Sequence, residues 1–247
     1  MSELERSVYV YGVLPAAERL PDALTGVAGS PVRRIEDGGL AALVSDLDAG
    51  SLTVARELRA HWSVLEAVSR QATVLPVRFG TVMESDDAVR DRLLGPGGEQ
   101  LRSMLSELAG RVQLSVKGDY DEEPLLRSVV RASPEIAALR ERLRGLPEAA
   151  GHYERIRLGE LVAGAVARQR EADTEFVLER LRPLSAAASV EPAEGAMHIA
   201  FLVARDDVAA FDARLGPVAE ALAERMQVRC VGPLPPYSFV EGSPAWA

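Results

Sequence analysis

Between positions 112 and 231 the apolar residues change their spacing in a fixed order, and that order limits the folds open to the chain. Residues 112–117 alternate with a period of two, the signature of a half-buried strand. An acidic turn over 119–123 and then Pro124 open a long helical region. Within it Ser133 and Pro134 read as an N-cap and first helical residue, with Ile136, Leu139 and Leu143 on one face and Gly145 closing the helix. A further helix is predicted over 154–181, ended by Pro183. A strand over 186–190, a turn over 192–195 and a strand over 197–203, whose Met197, Ile199, Phe201 and Val203 share a face, read as a hairpin. Asp206 and Asp207 are expected to cap a helix with Val208, Phe211, Leu215, Val218 and Leu222 inward and a kink at Gly216 and Pro217. A last strand is expected over 228–231. Strand, helices, strand, strand, helix, strand is the split βαβ order of a ferredoxin-like sandwich with an enlarged helical crossover.

The first half has a different rhythm. A Val- and Tyr-rich strand is predicted over 7–14 and another over 40–45. Val54, Leu58, His61, Leu65 and Val68 have the three-and-four spacing of one helix face. The stretch TVLPVRFGTV, residues 73–82, is β-branched and aromatic but interrupted by Pro76 and Gly80, so it reads as an edge or bulged strand. Ser85, Asp86 and Asp87 cap a helix running to Leu94, GPGG breaks the chain over 95–98, and a helix follows over 100–109. The fold class is therefore α+β with two domains: a mixed α+β domain over 1–110 and a modified ferredoxin-like domain over 111–232. Pro233, Pro235 and Pro236 cannot donate to a ladder, so residues 233–247 are expected as an extended Pro/aromatic tail.

Charge narrows the function classes. Acidic residues outnumber basic ones 37 to 28, a formal net charge of -9, which repels a phosphate backbone and argues against nucleic acid as a partner. Lys117 is the only lysine, so Schiff-base or phosphate-gripping lysine chemistry rests on one position inside a predicted strand. A single cysteine, Cys230, excludes an internal disulfide and a Cys-rich zinc site and suits a reducing compartment. Glu3 and Glu5 stand where an export signal needs positive charge. The longest strongly apolar stretch, 197–204, falls far short of the ~20 residues that span a bilayer. A soluble, cytoplasmic protein with no membrane partner is expected.

Reactive groups do not converge in the sequence. His61, His152 and His198 have no second His or Cys at ligand spacing. Cys230 and His198 form the one conceivable thiol–imidazole pair and so the alternative reading, a small-molecule-binding regulator or an enzyme on a ferredoxin-like scaffold. The acidic clusters Asp46 with Asp48, Asp119 with 121–123, and Asp206 with Asp207 stand at turns and helix starts, where carboxylates satisfy free amides without a metal. No nucleophile elbow, zinc helix, Walker loop or dinucleotide fingerprint occurs. Neither a catalytic residue, a metal ligand nor a cofactor is assigned. Arg78 and Phe79 in PVRFG suit a protein-contact anchor, and Tyr237, Phe239 and Trp246 in the tail suit docking into a partner or folding back on the chain.

Taken together, YVYGVL (residues 9–14), TVLPVRFGTV (73–82) after the His61 helix, LSVKG (114–118), AFLVARDDVAAFD (200–212) and GPLPPYSF (232–239) resemble the gas vesicle GvpL/GvpF family in order and spread over essentially the whole chain. The resemblance implies an accessory protein and minor component of gas vesicles. It would bind the hydrophobic shell protein, assist nucleation and assembly by limiting that protein's aggregation, and meet other gas vesicle accessory proteins. It also implies two α+β domains, the second a modified ferredoxin fold, and it brings no catalytic residue.

Overall fold

A computed structural model describes residues 7–47, 54–147 and 151–240. It divides into two compact units, one formed by 1–114 with 232–247 and the other by 115–231. Each unit is mixed α+β.

The first unit is built on β1 (Ser7–Pro15), β2 (Arg33–Asp37) and β3 (Leu40–Leu47), followed by α1 (Val54–Ser69). Two short strands, β4 (Leu75–Pro76) and β5 (Val82–Met83), come next, then α2 (Asp86–Ala88) running into a π-helical turn at Val89–Leu94, and α3 (Gly98–Leu108). The sheet order is β2-β3-β1-β4, with β5 also on β1, and every pairing is antiparallel. A register shift between Val10 and Gly12 makes Tyr11 a bulge, which re-aims its side chain. Gly12 beside it is required by space: a Cβ there would lie 2.6 Å from the Leu75 carbonyl oxygen.

Three features differ from the periodicity. The 73–82 stretch is not one strand. Pro76 has no donor and Gly80 sits at φ +89°, so pairing stops after β4, the chain turns over Arg78–Thr81, and β5 resumes it. The buried face of α1 is rotated from the one the apolar spacing picks. Glu57, His61, Val64, Leu65 and Val68 are buried, while Val54 and Leu58 are exposed. Glu57 is drawn in because its carboxylate accepts the Ala28 backbone N–H at 2.7 Å. Strand β2 has one buried residue, Ile35, in a charged run, so no period-two signal announces it; pairing with β3 makes it a strand.

The second unit contains β6 (Arg111–Tyr120), α4 (Glu122–Ala132), α5 (Pro134–Leu143), α6 (His152–Leu181), β7 (Ala187–Val190), β8 (Ala196–Ala204), α7 (Val208–Leu222) and β9 (Met226–Leu234), in sheet order β7-β8-β6-β9. The unit boundaries fall inside β6 and β9. Asp121 and Ser133 cap α4 and α5 through their side chains as the sequence predicts. Asp207 does not: Arg205–Asp207 is a 3-10 turn with no side-chain cap bond, and α7 runs continuously through Pro217. Strands β7 and β8 form the expected hairpin, Val190 opposite Ile199, and the Phe201 ring meets Phe211 of α7 at 5.2 Å.

Strand β9 passes through Pro233 to Leu234. It stands last in the sheet order, where a missing donor costs no ladder bond on the open side. Beyond β9 the described residues do not form an extended tail: Pro235 and Pro236 are buried and Tyr237–Phe239 is a 3-10 turn.

Candidate functional site

Two of the candidate contact residues, Phe79 and Tyr237, meet at one imidazole in the first unit. His61 is wholly buried on the inner face of α1. Its Nδ1 lies 2.9 Å from the Tyr9 hydroxyl and its Nε2 lies 2.8 Å from the Tyr237 hydroxyl. Tyr11 stacks on the ring at 25°, and Phe79 meets it edge-on, centroids 5.7 Å apart. The Tyr9 hydroxyl also accepts the Gly80 N–H at 3.1 Å, and the Tyr11 hydroxyl donates to Ser45 Oγ while accepting the Val27 N–H. Phe79, Tyr237 and the turn after Arg78 thus converge through groups far apart in the chain. Arg78 itself is exposed, Phe239 is half-buried in its turn, and Trp246 lies outside the described residues.

Electrostatics make this cluster an uncharged clasp. Burial pushes the His61 pKa down to about 4, opposed in part by a backbone contact with Val77, so the ring is neutral at physiological pH. Burial likewise pushes Tyr9 up to about 12 and raises Tyr237 further. A neutral imidazole has one N–H and one lone pair, so of the two flanking hydroxyls one donates and one accepts. All three groups stay uncharged and satisfied.

The outward side of the clasp is apolar. The Trp62 ring lies 4.4 Å from that of Tyr237, and Val54, Leu58 and Trp62, four residues apart along α1, are 67%, 37% and 38% exposed. Arg56, Arg59 and Arg78 are exposed and have no ion-pair partner among the described residues. An exposed aromatic and aliphatic stripe of this kind has the composition of a protein-contact surface. Sequence reading misses Trp62. Its spacing from Val54 and Leu58 is visible, but the periodicity assigns Val54 and Leu58 to the core face.

In the second unit the thiol–imidazole pair does not form. Strand β6 lies between β8, which holds His198, and β9, which holds Cys230, a separation of roughly 10 Å across two strand spacings. Their electrostatic neighbours differ too: Lys117 and Glu191 for His198, Asp212 for Cys230. Burial pushes the thiol up to about 11, away from the thiolate that nucleophilic work needs. The acidic positions serve structure: Asp46 pairs with Arg33 at 2.6 Å, Asp119 with Arg229 at 3.0 Å, and Asp121 caps α4. No cluster of three potential metal ligands occurs among the described residues, and none of their helices is long and apolar enough to cross a membrane.

The family model described as gas vesicle synthesis protein GvpL/GvpF matches residues 7–241. The chain belongs to the GvpL/GvpF family. It is 36% identical over 240 residues to gas vesicle protein F of Streptomyces sp. (strain CB03234), covering 95% of this chain and 100% of that one. It is 28% identical to gas vesicle protein L1 of Halobacterium salinarum (strain ATCC 700922 / JCM 11081 / NRC-1) over 94% of this chain and 89% of that one. The crystal structure of gas vesicle protein GvpF from Anabaena sp. PCC7120 superposes with a TM-score of 0.85 at 26% identity, over 96% of this chain and 99% of that one. The function of this GvpL/GvpF chain therefore lies in gas vesicles, in a family of structural and accessory proteins not known as enzymes.

Proposed function

We propose that this GvpL/GvpF protein is a minor, accessory component of the gas vesicle that works from the cytoplasm. On this reading it binds the hydrophobic shell protein, together with other vesicle accessory proteins, and limits its aggregation while the vesicle nucleates and grows. Its work is binding, not catalysis. A wall that excludes water is made of subunits that expose apolar strands before assembly, and exposed strand edges aggregate unless covered. The single observation that carries the reading is the α1 face. Val54, Leu58 and Trp62 form an exposed apolar stripe backed by Tyr237, on a chain of net charge -9. We also read the β7-β8-β6-β9 sheet with α4 to α6 in its first crossover as an enlarged ferredoxin-like unit, supported by that strand order.

The test is co-expression with the shell protein followed by affinity purification of this chain. Capture of shell protein is expected, reduced severalfold by Trp62→Ala and by Arg78→Ala, both of which replace exposed side chains. Phe79→Ala is a poor probe because Phe79 packs on Tyr9 and His61. Absence of shell protein from the eluate overturns the proposal; capture that both variants leave unchanged removes this surface from it.

A further inference from the structure

One side chain of the C-terminal turn touches both faces of α1. The Tyr237 hydroxyl lies 2.8 Å from His61 Nε2, and the Tyr237 ring lies against that of Trp62, centroids 4.4 Å apart and planes tilted by 45°. His61 and Trp62 are consecutive in the chain, and successive residues of a helix point about 100° apart. His61 is wholly buried and Trp62 is partly exposed, so Tyr237 straddles the line between the inner and outer faces of the helix.

The turn that carries Tyr237 is itself pinned. Pro235, Pro236 and Val240 are buried, and the two proline rings restrict φ. Inside the turn the Phe239 N–H donates to the Pro236 carbonyl at 3.1 Å and the Val240 N–H to the Tyr237 carbonyl at 3.2 Å. The Ser238 N–H donates to the side-chain oxygen of Gln113 at 3.0 Å, and Gln113 is buried. The phenol is therefore held at its hydroxyl by His61 and, next to its own backbone, by Gln113, and it cannot swing outward without giving up the His61 bond. Trp62 stands at the C-terminal end of the exposed stripe, one turn beyond Leu58 and two beyond Val54. A ring on such a surface samples several rotamers unless a neighbour removes them. A side chain already held in one rotamer loses less freedom when a partner arrives than one that must then be ordered.

We propose that Tyr237 is a positioning residue for the capture surface: it fixes the Trp62 ring in the orientation in which the α1 stripe meets the shell protein, and it acts through Trp62. This role rests on shell capture through α1, and it places the control of that surface in the clasp. His61 holds Tyr237, and Tyr237 holds Trp62.

The test is a double-substitution cycle on shell-protein capture, with the tryptophan ring followed directly. Tyr237→Ala lowers capture severalfold, as Trp62→Ala does, and adding it to Trp62→Ala lowers capture no further. Tyr237→Phe, which keeps the ring, retains more capture than Tyr237→Ala. The chain has two tryptophans, so in a Trp246→Phe background the fluorescence reports Trp62 alone. There the anisotropy decay of Trp62 shows the slow tumbling of the whole protein, and Tyr237→Ala adds a fast component that Tyr237→Phe does not. A Tyr237→Ala loss of capture that adds in full to that of Trp62→Ala overturns the proposal, because it makes Tyr237 a contact in its own right. A fast component already present with Tyr237 intact overturns it too, and that measurement needs neither a folded variant nor the shell protein. A chain that captures no shell protein while Trp62 is held by Tyr237 overturns the shell-binding reading and leaves the positioning of Trp62 standing.

Discussion

The two units bury polar groups in opposite ways. In the first, His61 is clasped between the hydroxyls of Tyr9 and Tyr237, and every member of the cluster is neutral. In the second, a carboxylate is buried against a half-buried arginine: Asp173 is 2% exposed and is held by Arg225, Tyr120 and Gln169. Each device ties distant chain segments together. The neutral clasp joins α1 to the C-terminal turn, and the ionic one joins α6 to the end of β6 and the turn before β9. A neutral clasp loses one hydrogen bond when a member is removed, whereas a buried ion pair loses its compensation. The contrast predicts unequal sensitivity to substitution and to pH.

The largest effect is expected at Asp173. Asp173→Ala leaves Arg225 half-buried without its carboxylate and the Tyr120 hydroxyl without an acceptor, and should cost about 3 kcal/mol. In a chain of this length that lowers the midpoint of thermal unfolding by roughly 6–12 °C. A loss below about 1 kcal/mol would show that the pair is as weak as a surface bridge.

Acid should act on the first unit through His61. The imidazole titrates near 6.5 in the unfolded chain and at about 4 in the folded one. Below pH 6.5 the unfolded state therefore binds a proton that the folded state refuses, so stability falls as pH drops from 6.5 to 4. The limit of that loss is on the order of 3 kcal/mol. Denaturation by urea at pH 7 and pH 5 measures it, and His61→Gln should flatten the pH slope while lowering stability at pH 7. An unaltered slope would place the acid sensitivity elsewhere, with His198, whose pKa is also lowered by burial, the next group to remove.

The smallest effect belongs to Tyr237→Phe, which keeps the ring against Trp62 and deletes only the hydroxyl facing His61. A cost of about 1–2 kcal/mol is expected, read by unfolding together with a change in Trp62 emission. If the loss equals that of Asp173→Ala, the distinction between neutral and ionic clasps fails.

Much of the second unit was legible because its periodicities are local. Strand β8 and helix α7 display their inward residues at regular spacing, and Ser133 with Pro134 marks the start of α5 to the residue. The first unit was legible only in part. The α1 spacing admits two faces, and a tertiary contact, Glu57 on the Ala28 amide, selects between them. The clasp lay beyond any local rule: His61 and Tyr237 are 176 positions apart, and His61 and Tyr9 are 52. The sequence marked Phe79 and Tyr237 as aromatic anchors but not that they share one histidine. It hid Trp62 because a tryptophan on an amphipathic helix looks the same whether its ring faces core or solvent.

The most direct test of the proposed function is the partition of the shell protein after cell lysis and high-speed centrifugation, with and without this chain co-expressed. If the chain shields the shell protein, it moves that protein from pellet to supernatant, where the two co-elute, and Trp62→Ala returns it to the pellet. Shell protein that pellets to the same extent with and without the chain would contradict the shielding role.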